Sequence, residues 1–485
     1  MMPSPRTLGF VATSMGLAGA LIWPLWSHGS DDLEDAVQGE RTAGAATAFA
    51  NGRNAFSMPL PTLNDEENAR FAVGNSFFRR NWVEAPASTT ARDGLGPHFI
   101  ARSCGGCHVQ DGRGAPPDFR NSLNKGPSEQ AVALLIRLSV PGVGEHGGVV
   151  PDPVYGDQLS NAAIAGVQPE GQVAIRYQTL PGKFADGTAY ALRKPFYSVT
   201  QLAYGPLAPG ILLSPRIAPQ MAGVGLIDAI AEQDILANAS AQSTASGPIK
   251  GQPNHVWDDF AQAMRVGRFG WKANQASVAS QTAGAFLGDI GITSTLHPKE
   301  TCTPTQKDCL AAPSGSKGNA PEIDDRTLSD VVFYQSTLAP AARRNVNDRA
   351  VLRGQALFAQ AQCSACHRPS YTTSAPPFPA LSSTKVQGLK IWPYTDLLLH
   401  DMGKDLADGR PDFAANGQQW KTPPLWGVGL VHGVNGHRRL LHDGRANGAL
   451  EAILWHGGEA EAAKRQVLQL NARDRQALVA FVESL

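Results

Sequence analysis

Residues 103–109 read SCGGCHV, and residues 362–368 read QCSACHR. Each holds C-x-x-C-H, the attachment pattern of a c-type haem. Two cysteines three apart lie close together on one helical turn, so their thiols can reach the two vinyl groups of one porphyrin. The histidine that follows, His108 or His367, then faces the iron as its proximal ligand. A lone C-x-x-C-H would also suit a dithiol or half a zinc site, but no further C-x-x-C pair completes a zinc set. Cys104, Cys107 and His108, with Cys363, Cys366 and His367, therefore predict two covalently attached haem c groups.

The other two cysteines, in TCTPTQKDC, enclose a short loop, and Cys302 and Cys309 read as a local disulfide. Such a bridge belongs to an oxidising compartment, and the N-terminus agrees. Arg6 precedes an apolar run from about Leu8 to Trp26, followed by Asp31 and Asp32. Residues 1–30 are expected to be a signal peptide or an uncleaved anchor, with a periplasmic body.

At 485 residues the chain exceeds one ordinary core. Hydrophobic residues make up 42% and charged residues 17%, which suits a globular protein. Lys+Arg and Asp+Glu are both 42. That balance favours neither nucleic acid nor an anionic membrane surface. Gly at 50 and Pro at 35 predict many turns and long connections.

Outward from the second motif, Leu352, Leu357 and Phe358 form a helical stripe leading into the attachment site. Asn471 is a helix N-cap, before a stripe of Leu478, Val479, Phe481, Val482 and Leu485. Residues 346–485 read as a C-terminal cytochrome c module. Residues 50–345 read as an N-terminal cytochrome c-like haem domain with a large insertion. NARFAVGNSFFRRNW, GLIDAIAEQDILANA and DRTLSDVVFYQSTL look helical, while GQVAIRYQTL and TAYALRKPFYSV look like short strands. The expected fold class is mainly α: two cytochrome c-like modules, the first with a loop-rich insertion containing some short β-strands. Three DGR triplets, at 111–113, 408–410 and 443–445, read as turns.

DGLGPHFIARSCGGCHVQDGRGAPP, GRFGWKANQASVASQTAGAF, DIGITS, LLHDMGKDLADGRPD, WKTPPLWGVGL and LHDGRA…LEAILWHGGEA occur in this order. Over about residues 55–485 the chain resembles the di-haem oxidoreductase family, also labelled peroxidase or thiol oxidoreductase. That family is similar at a distance to bacterial di-haem cytochrome c peroxidases and to MauG-type enzymes. The resemblance implies a sixth ligand for the C-terminal haem shortly after an H-D-G motif. Here His442-Asp443-Gly444 is that motif, and His456 follows fourteen positions on. A His367/His456 pair would lower the haem's reduction potential relative to methionine ligation. Met402, His400, His432 and His437 are the rivals. His442 would orient a haem propionate or a backbone group, and Arg445 would pair with a propionate.

For the N-terminal haem no sixth ligand stands out; His146 is the nearest candidate. An open position suits peroxide. The resemblance puts Trp271 between the haems and Asp289 in the distal pocket as a general acid–base, with Glu145 as a further candidate. The implied function is peroxide reduction, with electrons from a small cytochrome c or cupredoxin. Calcium between the haems stays open as a cofactor. Two other readings stand beside it: an electron carrier without catalysis, and a MauG-like oxidase of protein side chains or thiols.

Overall fold

A computed structural model describes residues 39–117, 133–316, 318 and 320–485. The expected leader or anchor lies outside those residues. Among the described residues no helix is long and apolar enough to cross a membrane.

Helix α1 (Asp65–Arg79) starts at a capping box. Asn64 accepts from the Glu67 amide at 2.8 Å, and the Glu67 carboxylate accepts from the Asn64 amide at 3.0 Å. A single turn, α2 (Cys104–Cys107), carries the first haem motif. Next come strand β1 (Leu134–Ser139), a hairpin of β2 (Gln172–Lys183) and β3 (Ala189–Thr200), and β4 (Leu212–Ile217), which pairs back onto β1. Helices α3 (Val278–Ala285), α4 (Asp325–Ser336) and α5 (Arg349–Gln360) follow. The short pair β5 (Leu399–Asp401) and β6 (Gln419–Lys421) precedes α6 (Ala449–Leu454) and the terminal α7 (Ala472–Ser484).

The expectation of a mainly α chain needs correction. Among the described residues, fourteen strands form seven two-stranded antiparallel ladders, so the fold is mixed. The segments expected as short strands make a hairpin of two 12-residue strands. Val173 and Leu192 are buried on opposite faces of this ladder, since Val173 pairs with Val199 and Leu192 with Leu180, while the Asp186-Gly187 turn supplies a positive φ of 83°. The tip reaches the last helix: Arg475 Nη1 donates to Asp186 at 2.8 Å and stacks on Phe184. The helical reading of 225–239 also divides, into Val224–Asp228 and Glu232–Thr244. The disulfide joins Cys302 to Cys309.

The largest core packs α1 against α4, with Phe71 and Phe78 4.7 and 5.2 Å from the Tyr334 ring. It also takes in Tyr371, Val386 and Ile391 from beyond the second haem motif. A second core joins the hairpin to Trp271, Trp420 and Trp455. A third packs α5 on α7, where Phe358 lies 5.1 Å from Phe481.

Candidate haem-binding sites

α5 aims the second motif. It ends at Gln360, and Gln362 turns the chain with a φ of 60°. His367 N then closes back on Cys363 O at 2.9 Å. His367 Nδ1 lies 3.0 Å from Tyr394 O. A carbonyl only accepts, so Nδ1 carries the proton and the Nε2 lone pair is free. At the end of α6, His456 is arranged the same way, with Nδ1 donating to Ala452 O at 2.7 Å. Both line one cavity of about 220 Å³, together with Cys363, Cys366, Met402 and Trp271. A single buried water needs only ~10–15 Å³. Burial pushes His367 down to about 4, and His456 lies near enough to lower it further. Burial lowers His456 as well. Two thiols and two neutral imidazoles, each with Nε2 free, on the wall of one largely apolar cavity fit a haem.

The rival ligands divide. His400 is held between Asp396 (2.8 Å) and Glu459 (2.7 Å), one carboxylate on each ring nitrogen. Burial opposes its charge, but the carboxylates outweigh that and hold it well above the usual histidine range. His400 therefore has no lone pair to give. With Cys366 and Asp396 it forms a group whose donor atoms lie within 4.8 Å, but its nitrogens are already spent on carboxylates. Both nitrogens of His437 are also occupied, by Arg113 O and by Arg439 N. His432 is exposed. Met402 stays on the cavity wall.

The structure places Arg445 elsewhere than on that wall. Its guanidinium is spent on Asp443, with Nε 2.9 Å from Oδ2, and on Asp405 O at 2.6 Å. Burial pushes the Asp443 carboxyl up, yet Arg445 and His442 pull it down to about 2. His442 does line the cavity, stacked 3.8 Å from Trp420. Trp271 lines it too, and its Nε1 donates to Ile217 O at 2.8 Å.

At the first motif His108 N donates to Cys104 O at 2.9 Å, and its Nδ1 donates to Pro219 O at 2.7 Å. Nε2 is again left free. Burial, with the Asp289 charge adding, pushes the Cys104 thiol to about 12. The same charge acts on His108, so Asp289 is brought close to both. Asp289 sits on a π-turn after α3, where Gln158 Nε2 donates to its Oδ1 at 2.9 Å. Burial raises its pKa, and Arg137 opposes this. This motif, too, has donors that fit a haem. His146 lies on a surface turn, stacked 3.8 Å from Trp257 and facing Glu145, whose side chain is 89% exposed.

Arg137 and Gln158 went unread in the sequence because neither belongs to a motif. The DGR triplets carry more than turns. Asp111 and Asp443 are buried, the Asp408 side chain is only 1% exposed, and all three are acceptors. Asp111 takes bonds from Ser57, Arg79 and Tyr334, fastening the first motif to α1 and α4. Asp408 holds the Lys272 ammonium at 2.8 Å, inside an oxygen cage shared with Arg410 O and Asn416 O.

The family model described as "Di-haem oxidoreductase, putative peroxidase" matches residues 36–485. No curated protein matches the chain. Among solved structures, a hydrazine synthase from Kuenenia stuttgartiensis, pressurised with xenon, aligns over 100% of both chains at 12% identity. Its TM-score of 0.28 carries no argument about fold.

Proposed function

Since the chain belongs to the di-haem oxidoreductase family, we propose that it is a periplasmic c-type enzyme reducing hydrogen peroxide with electrons from a small cytochrome c or cupredoxin. Cys104, Cys107 and His108 would hold one haem. Cys363, Cys366, His367 and His456 would hold the other, each set at the centre of its own cytochrome c-like module. Bound haem supplies one-electron redox chemistry, and two such groups match the two electrons that peroxide reduction consumes.

The chain's own residues do the rest. His367 and His456 present two Nε2 donors to one cavity; together they would hold the C-terminal haem and leave it to electron transfer. That pairing carries the reading. At the other site His108 is fixed through Pro219. Asp289 takes a proton from one peroxide oxygen and returns it to the other. Gln158 orients its carboxylate, and burial raises its pKa toward the working range of a general acid–base. Trp271 provides contact between the sites.

Ferric-state electron paramagnetic resonance on the purified di-haem protein tests this. Wild type should show one high-spin and one low-spin haem, and His456→Ala should convert the low-spin signal. Asp289→Asn should slow peroxide consumption by roughly 10²–10⁴-fold with spectra unchanged. Two low-spin haems and no peroxide turnover would leave an electron carrier instead.

A further inference from the structure

The cavity that holds His367 and His456 has an unbalanced wall. Two of its charged cations are neutralised: His400 by Asp396 and Glu459, and Lys464 by Glu461 at 2.6 Å. Among the described residues Arg113 and Lys421 have no such contact; the Asp396 charge reaches Lys421, but that carboxylate is bonded to His400. Both line the cavity and both are 8% exposed. Among the described residues the Lys421 ammonium makes no hydrogen bond or ion pair. Among the described residues the Arg113 guanidinium meets Leu441 O, at 2.8 Å, and the Trp271 ring, 4.9 Å from its centroid. Its Nε has no partner. A buried cation without an anion is expensive, and the remedy is a carboxylate at hydrogen-bond range. Much of the remaining wall is apolar, including Phe358, Leu406, Val428 and Ile453. The fitting occupant is a flat apolar body bearing acidic groups, attached at Cys363 and Cys366.

We propose that Arg113 and Lys421 are the carboxylate-binding residues of this site and hold the propionates of the C-terminal haem. The inference rests on the His367/His456 reading above. It takes the propionate role from Arg445, which is closed on Asp443. It also has a consequence for coupling. Arg113 stands five positions after His108, so the segment carrying the first iron ligand would touch the second cofactor. A change of charge at one haem then reaches the other through a single short stretch of chain.

The test is potentiometry on the loaded protein, with Arg113→Gln and Lys421→Gln beside Arg113→Lys and Lys421→Arg. A propionate stripped of its cation stabilises the ferric state and takes up a proton more readily. The Gln variants should therefore keep the low-spin His/His spectrum while its midpoint potential falls and becomes dependent on pH between 6 and 8. The charge-conserving variants should follow wild type and show that the site still folds. Intact low-spin spectra with wild-type potentials in both Gln variants would overturn the proposal and leave the ligand pair standing. A wild type lacking the low-spin signal would instead overturn the ligand pair.

Discussion

Glu170 is a carboxylic acid with only 4% of its surface exposed. The Ser160 amide and Gln306 Nε2 both donate to it at 2.6 Å, and His98 Nδ1 lies 3.7 Å away. Burial outweighs both bonds and raises its pKa from 4.5 to about 8. Between those values the folded chain holds a proton that the unfolded chain has released. Stability from this group is thus complete below pH ~4.5 and is lost as pH rises through about 8, at up to ~1.4 kcal/mol per unit. Urea unfolding across that range should show the decline, and Glu170→Gln should flatten it; an unchanged slope would refute the assignment. Nothing in the local sequence PEGQ announces such a group. It is made by burial beneath segments far along the chain, among them the Cys302–Cys309 loop that carries Gln306. His367 and His108 differ in this respect. C-x-x-C-H marks them as candidates, while the carbonyls that leave each Nε2 free, of Pro219 and Tyr394, come from distant segments.

At the scale of elements, α1 and α4 cross where Gly74 faces Asp330. A Cβ at residue 74 would lie 2.0 Å from the Asp330 carbonyl oxygen, which is backbone and cannot swing aside. Alanine would improve helix propensity by about 1 kcal/mol. Forcing the helices apart costs about 1–3 kcal/mol, and it strains the Tyr334–Asp111 bond of 2.6 Å that anchors the first haem motif. Gly74→Ala should therefore lower the denaturation midpoint and disturb the N-terminal haem spectrum before the C-terminal one. A stabilised variant would show that the contact relaxes freely. Helix ends such as Asn471, which accepts from Asp474 N at 2.9 Å, could be read directly because a cap is local chemistry. The length of the β2–β3 hairpin could not. Pro181 and Gly182 interrupt its alternation, and pairing with Ala191 and Tyr190 on the partner strand carries the ladder through.

Across the whole molecule the two sites meet at residues 217–219. Ile217 N donates to His442 O at 2.7 Å, and Ile217 O accepts from Trp271 Nε1 at 2.8 Å. Two residues on, Pro219 O accepts from His108 Nδ1 at 2.7 Å. Trp271 lines the C-terminal cavity, so a short path of hydrogen bonds and backbone runs from that wall to His108. No inspection of sequence could show it, because residues 108, 217–219, 271 and 442 belong to four separated segments. The expectation that Trp271 lies between the haems comes from the resemblance of its stretch GRFGWKANQ to that of related peroxidases. Trp271→Phe keeps the ring against Arg113 but removes the donor to Ile217. It should leave both ferric spectra in place and slow electron transfer from the C-terminal to the N-terminal haem, read by stopped-flow after rapid reduction. An unchanged rate would put the path elsewhere. A slowed rate that Trp271→His, which restores a ring N–H, partly recovers would assign it to the bond rather than to the ring.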